Sequence, residues 1–317
     1  MRNLRIRSIA LLLIGLLPVA AMAGQGQRRV SWQRFHKQLP AGNYSGICRM
    51  DGGRFALVDD KAPEDGFCVV RIDIDSAGGR IRSIENEGYR GSHLPNRDME
   101  GICYCPARGT LFISGEGDNE VFEYLPDGRR TGRRLEMPPE FRRAKANRGL
   151  EALAYDGVRH LFVTTTEQPL PGDTLLRLQT FGDDLQPRRQ YLYRPDEALS
   201  RKYKVRGVSA MCALSDGRLI VVERQIRVPR LKIGARAVTR FYEVRLPDGE
   251  EGIANPLETS VLQKRLVREI STRLTLTGRR FANCEGICEA HPGLLLVVAD
   301  SQGRYGGVLR DWFILLP

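Results

Sequence analysis

Residues 98–116, DMEGICYCPARGTLFISGE, are the stretch on which the fold turns. An acidic start leads into a short apolar run, a turn at 106–109, a second apolar run and an acidic end. Two antiparallel strands return the chain to its starting edge, so the stretch predicts a hairpin with Glu100 and Glu116 on one rim. The same pattern is written four more times. Its starts are Tyr44-Ser45-Gly46-Ile47-Cys48, Met99-Glu100-Gly101-Ile102-Cys103, Leu150-Glu151-Ala152-Leu153-Ala154, Val208-Ser209-Ala210-Met211-Cys212 and Cys284-Glu285-Gly286-Ile287-Cys288. Each has Ser or Glu, then Gly or Ala, a large aliphatic residue, and Cys or Ala. A turn follows each time, then a second apolar run ending in an acid: Asp60, Glu116, Glu167, Glu223 and Asp300.

A strand-built period of 40 to 60 residues means a propeller or a related array. The fold class expected is all-β: a β-propeller of five four-stranded blades. Third strands read at 69–74, 121–124, 175–178, 241–246 and 309–315, and weaker fourth strands near 81–84, 134–137, 190–193 and 266–270. The last repeat runs out of chain after its third strand, while residues 30–38 offer one unassigned strand. Pairing the two would close the ring and remove its free edges. The repeat starts are 55, 51, 58 and 76 residues apart, so the long fourth interval leaves a six-bladed alternative open. The reading preferred is a loop insertion at 225–237, rich in Arg and carrying Pro229, with another at 250–258.

The chain has 317 residues, 42% hydrophobic and 27% charged, the balance of a globular protein with a core of its own. Arg2, Arg5 and Arg7 precede an apolar run at 9–17, and Ala21-Met22-Ala23 supplies a small-x-small cleavage pattern. Residues 1–23 therefore read as a signal peptide and 24–317 as a single propeller domain, exported to a periplasm or to the outside. The apolar run is too short for a membrane anchor and is broken by Pro18, and no later stretch approaches the length of a span. The formal charge is +11, or +8 once the three leader arginines are gone. In an exported chain such charge suits small anionic or esterified substrates, glycans or anionic surfaces more than nucleic acid. A monomer is expected. The densest basic segment, 129–148, reads as a solvated loop before it reads as a binding patch.

Cys48, Cys103, Cys212 and Cys288 share one repeat position with Ala154, which marks them as small core residues, and a disulfide among Cys68, Cys105 and Cys284 stays open. No spacing resembles a zinc site. His36, His93, His160 and His291 have no regular partner, and there is no Gly-x-Ser-x-Gly elbow, which speaks against a serine esterase.

In a propeller the first strand of each blade lines the central channel, so Ser45, Glu100, Glu151, Ser209 and Glu285 are expected to converge. Crowded carboxylates need a counter-charge, and an oxygen-only donor set points to a hard divalent cation, calcium before magnesium. The second-strand acids would form an outer ring, with Glu116 or Glu167 as a base, or would cap loops as a blade signature. Arg148, Arg224 and Lys61 stand beside these acids as candidate anion clamps.

Taken together, SGI with VDD, DMEGI with LFISGE, NRGLEALA with TTTE, and NCEGI with VVADS resemble the phytase-like family, also called esterase-like activity of phytase. The resemblance spans about residues 40–313. It implies an exported propeller and, by its name, a hydrolase of phosphate or other esters, which joined to the cation reading above gives a divalent-cation-dependent hydrolase. The Asp-rich strings with which alkaline propeller phytases hold several calcium ions are missing, so only an acidic channel mouth is carried over, onto Glu100, Glu151 and Glu285. The alternative is a non-catalytic binding or scaffolding propeller with a structural calcium ion or an anionic glycan or surface partner.

Overall fold

The computed structural model describes residues 29–247 and 257–317. The leader expected over 1–23 lies outside the described residues, as does most of the insertion expected at 250–258. Among the described residues the chain is almost wholly β, and no helix is long and apolar enough to cross a membrane.

Five antiparallel sheets form five blades. Blade one is Tyr44–Arg49, Arg54–Asp59, Gly66–Asp75 and Arg80–Gly91, and blade two is Met99–Cys105, Thr110–Gly115, Glu120–Tyr124 and Arg130–Arg134. Blade three is Leu150–Asp156, Leu161–Thr166, Leu176–Gly182 and Pro187–Tyr193. Blade four is Val205–Ala213, Leu219–Arg227, Arg236–Val244 and Lys264–Leu274, with the short Arg279–Arg280 added. Blade five takes Asn283–His291, Leu294–Asp300 and Trp312–Leu316 from the end of the chain and Ser31–Gln33 from its start, with Trp32 opposite Ile314. Only those three residues of the 30–38 run are strand; Phe35 then accepts turn hydrogen bonds from Gln38 and Leu39.

The second strands are apolar on both faces because each blade is sandwiched between two others. Phe55 and Leu57 pack into a core shared with blade five, whereas Ala56 and Val58, one residue out of phase, pack against Met99, Ile102 and Ile113 of blade two. Further inter-blade cores join two to three, three to four and four to five, which completes the ring. The side-chain period of two thus builds two interfaces from one strand. All seven cysteines are free, and the four at the shared repeat position are buried in these cores.

The six-bladed alternative falls away, because the long fourth interval is spent on longer strands. Blade four has strands of 9, 9, 9 and 11 residues where blade two has 7, 6, 5 and 5. Residues 225–227 and 236–237 extend the two strands of one hairpin, and the expected loop insertion is the eight-residue tip, 228–235, that joins them. Register holds unbroken from Leu219 opposite Val244 to Arg227 opposite Arg236. After the second long segment, Leu257–Val261 joins blade three as a fifth, parallel strand. The fourth strand of blade two lies earlier than the 134–137 expected. A register shift at Phe122–Tyr124 precedes it, and Leu135 leaves the ladder but still donates to Val121 O at 3.0 Å.

Candidate functional site: an acidic channel mouth

Every blade's first strand is irregular at the same place. The register shifts between Tyr44 and Gly46, Met99 and Ile102, Leu150 and Ala152, Val208 and Ala210, and Cys284 and Gly286. Each shift brackets the repeated Ser or Glu, so five β-bulges turn these side chains out of the pleat. The following small residue has its own reason. A Cβ at Gly46 would come within 2.4 Å of Glu100 O, and one at Gly101 within 2.7 Å of Leu153 N, because neighbouring inner strands touch there.

The bulges give different results for Ser and Glu. Ser45 Oγ donates to Met99 O at 2.7 Å and Ser209 Oγ to Cys284 O at 2.8 Å, so both hydroxyls stitch adjacent blades. Neither serine lines the cavity at the mouth. Glu100, Glu151 and Glu285 do line it, in a cavity of about 620 Å³, together with Asp60, Glu116, Glu167 and Asp300 from the second strands, and Asp98. Glu223 does not. It accepts from Tyr193 Oη at 2.6 Å and Lys264 Nζ at 2.5 Å between blades three and four. In blade four the next residue, Arg224, takes the inward place.

Arg224 is the hub. Its Nη2 lies 2.8 Å from Glu151 Oε1 and 3.2 Å from Glu167 Oε1, while Nη1 meets Asn283 Oδ1 at 3.0 Å and also Glu285. Burial opposes its charge, but Glu151 and Glu167 more than offset that and raise its pKa. The sequence suggested a substrate clamp; in place, the guanidinium is the counter-ion of three glutamates. Arg148 reaches Glu167 Oε2 at 2.5 Å and stays about one-third exposed. Lys61, more exposed still, bridges Asp60 at 3.0 Å and Asp98 at 2.5 Å.

These cations do not balance the acids. Eight carboxylates line the cavity against Lys61, Arg148, Arg224 and Lys232. One carboxyl oxygen from each of Asp60, Asp98 and Glu100 lies within 4.8 Å of the other two. Asp98 is held with φ of 59° and its N–H bonded to Asn96 Oδ1, a local turn that an Asp tolerates. Sequence reading did not single out Asp98, although it opens the DMEGI motif. Among the described residues none donates a hydrogen bond to the Glu100 carboxylate, which faces the cavity from an otherwise buried residue, and Asp60 Oδ1 is buried without a partner. Burial, then the neighbouring Glu151, Asp60 and Glu116, push the Glu100 pKa well above the ordinary value. Burial likewise raises Glu151, Asp60 and Glu116, and lifts Asp300 to about 6. Oxygen-only donors with unspent lone pairs suit a hard cation.

Of the two candidate bases, Glu116 has one oxygen committed to Gly149 N at 2.8 Å. Glu167 is gripped by two arginines.

A family model described as "Phytase-like: Esterase-like activity of phytase" matches residues 39–302. No curated protein matches the chain. Similar solved structures include a streptogramin B lyase, at 12% identity over 90% of this chain and 97% of that one with a TM-score of 0.43. Virginiamycin B lyase from Staphylococcus aureus shares 12% identity over 91% and 99%, with a TM-score of 0.41. The PQQ-bound aldose sugar dehydrogenase from Streptomyces coelicolor shares 11% over 91% and 98%, with a TM-score of 0.45.

Proposed function

The chain belongs to the phytase-like family, and from that premise we propose that it is an exported, divalent-cation-dependent hydrolase of phosphate or other esters, acting at the acidic mouth of the propeller channel. The observation that carries the reading is Glu100, a buried carboxylate without a donor, beside Asp60 and Asp98. A buried ionised carboxylate is costly unless it is paired, so this trio either keeps protons or takes a cation. Asp60, Asp98 and Glu100 would hold it, with calcium preferred because a flexible, all-oxygen set suits it. When bound, calcium would supply Lewis-acid polarisation of the ester oxygen and counter-charge for an oxyanion.

The chain's own residues divide the remaining work. Glu116 has a raised pKa and an uncommitted oxygen, which suits it to take a proton from the attacking water. Glu167 is saturated with arginine and serves to hold Arg148, whose exposed side can bind an anionic oxygen. Arg224 keeps Glu151 and Glu285 in place beneath the substrate.

The test is hydrolysis of 4-nitrophenyl acetate and 4-nitrophenyl phosphate in EDTA and in calcium, by the mature protein and by Glu100→Gln. The expected result is calcium-dependent turnover that falls about a hundredfold or more in the variant, with unchanged circular dichroism. A calcium-raised melting temperature without turnover of either ester would leave a binding or scaffolding propeller with a structural ion. No response to any cation would reduce the acids to blade architecture.

A further inference from the structure

The cavity over the acidic floor has a second wall of opposite character, and it is the product of the long hairpin in blade four. Arg224 and Ile226 share one strand face and Val228 follows just past the strand's end, so the cavity-lining side carries the buried arginine and then turns aliphatic. Ile226, Leu274 and Phe281 are buried at the base of this wall, in a small cluster separate from the five inter-blade cores. Its crest is not buried. Leu231 is 82% exposed and Ile233 51%, yet both line the cavity. Blade five reaches the crest through Tyr305, whose ring centre lies 3.9 Å from Lys232 Nζ, so the wall is tethered across the mouth. Contiguous exposed aliphatic residues beside a polar site are costly in water and mark a contact surface.

We propose that the substrate is an ester with an apolar alkyl or aryl arm, laid along the blade-four wall while the ester group sits over the acidic floor. The inference rests on the hydrolytic reading and narrows it. The floor's eight carboxyl groups outnumber its four cationic side chains, so it offers few partners to a multiply phosphorylated substrate. A cavity of about 620 Å³ fits one molecule of moderate size. An uncharged or singly anionic head with an apolar tail meets both the charge and the wall.

The experiment separates binding from turnover. N-methylalkanamides of two to ten carbons, uncharged and inert to hydrolysis, are titrated calorimetrically into the mature protein, its Glu100→Gln variant and a Leu231→Ser/Ile233→Ser double variant. In parallel, 4-nitrophenyl esters from acetate to octanoate are assayed. Affinity is expected to rise about two- to fourfold per added methylene in the wild type and in Glu100→Gln, with the rise at least halved in the double variant. The two serines replace exposed side chains, so the melting temperature should hold. Affinity and kcat/KM that ignore chain length would overturn the inference while leaving hydrolysis standing. A chain-length slope without hydrolysis of any ester would retain the apolar wall and remove the hydrolytic reading. Leu231- and Ile233-dependent sedimentation with phosphatidylcholine/phosphatidylglycerol vesicles, without a chain-length slope, would overturn the inference in favour of a lipid surface.

Discussion

Blade two carries two buried glutamates with opposite fates. Glu123, on its third strand, is fully buried and receives Arg108 Nε at 2.8 Å, Thr110 and Thr131 Oγ1 at 2.7 Å each, and Arg133. Burial alone would raise its pKa, but these donors, Arg133 first, pull it down to about 2. Glu100, on the first strand of the same blade, is buried at the channel mouth without a donor, and its pKa moves the other way. Burial is common to both; the supply of donors is not. A saturated carboxylate holds the fold together, whereas an unsaturated one keeps lone pairs that its protein neighbours leave unused.

The comparison breaks first at Glu123. Glu123→Gln leaves Arg108 and Arg133 beside a neutral group and should cost about 3 kcal/mol of unfolding free energy, since removing one partner of a buried pair is among the larger single-site effects. Chemical denaturation checks this, and a loss below about 1 kcal/mol would mean that the cluster is dispensable.

The pH dependence gives the next largest effect. Asp300 is raised from the model-peptide value near 4 to about 6, and Glu100 and Glu151 are also raised. A carboxyl group with a raised folded pKa contributes stability that is full below its unfolded pKa and is lost as pH rises through the folded value. Between pH 4 and 6 the cation-free protein should therefore lose up to about 2 kcal/mol from Asp300 alone. Glu123 acts with the opposite sign, but its contribution is lost only as pH falls from about 4.5 towards 2. Calcium should remove most of the loss between pH 4 and 6, as read from melting curves in EDTA and in calcium. A cation-free stability that is flat across that window would erase the difference between the two glutamates.

The smallest effect sharpens the comparison. Lys61 is the one described cation that touches the Asp60–Asp98–Glu100 trio directly, through Asp60 and Asp98, and its ammonium competes with a divalent ion. Lys61→Met should tighten calcium binding about three- to tenfold, the scale of an exposed ion pair. Calorimetric titration measures it; an unchanged or weaker affinity would place the ion elsewhere.

Much of this was legible in residue order. The Glu-Gly-Ile-Cys repeat located all five inner strands and placed Glu100, Glu151 and Glu285 at one mouth, because a repeated supersecondary unit returns the same position to the same side. The repeat could not tell Ser45 and Ser209 from ligands, since whether a hydroxyl faces the channel or a neighbouring carbonyl depends on the approach of the next blade. Nor could it rank Glu116 over Glu167, whose two arginines come from 19 and 57 residues away in the chain.

By itself the sequence determined the architecture: alternation, turn residues and period are local, and local pattern is enough to specify strands and to count blades. Only the tertiary structure decided that Arg224 is the counter-ion of three glutamates, that Asp98 joins Asp60 and Glu100, and that residues 225–237 raise an apolar wall. Each of these depends on which side chains from distant blades meet in one buried volume. Charge balance and desolvation are properties of that volume, not of any segment that contributes to it.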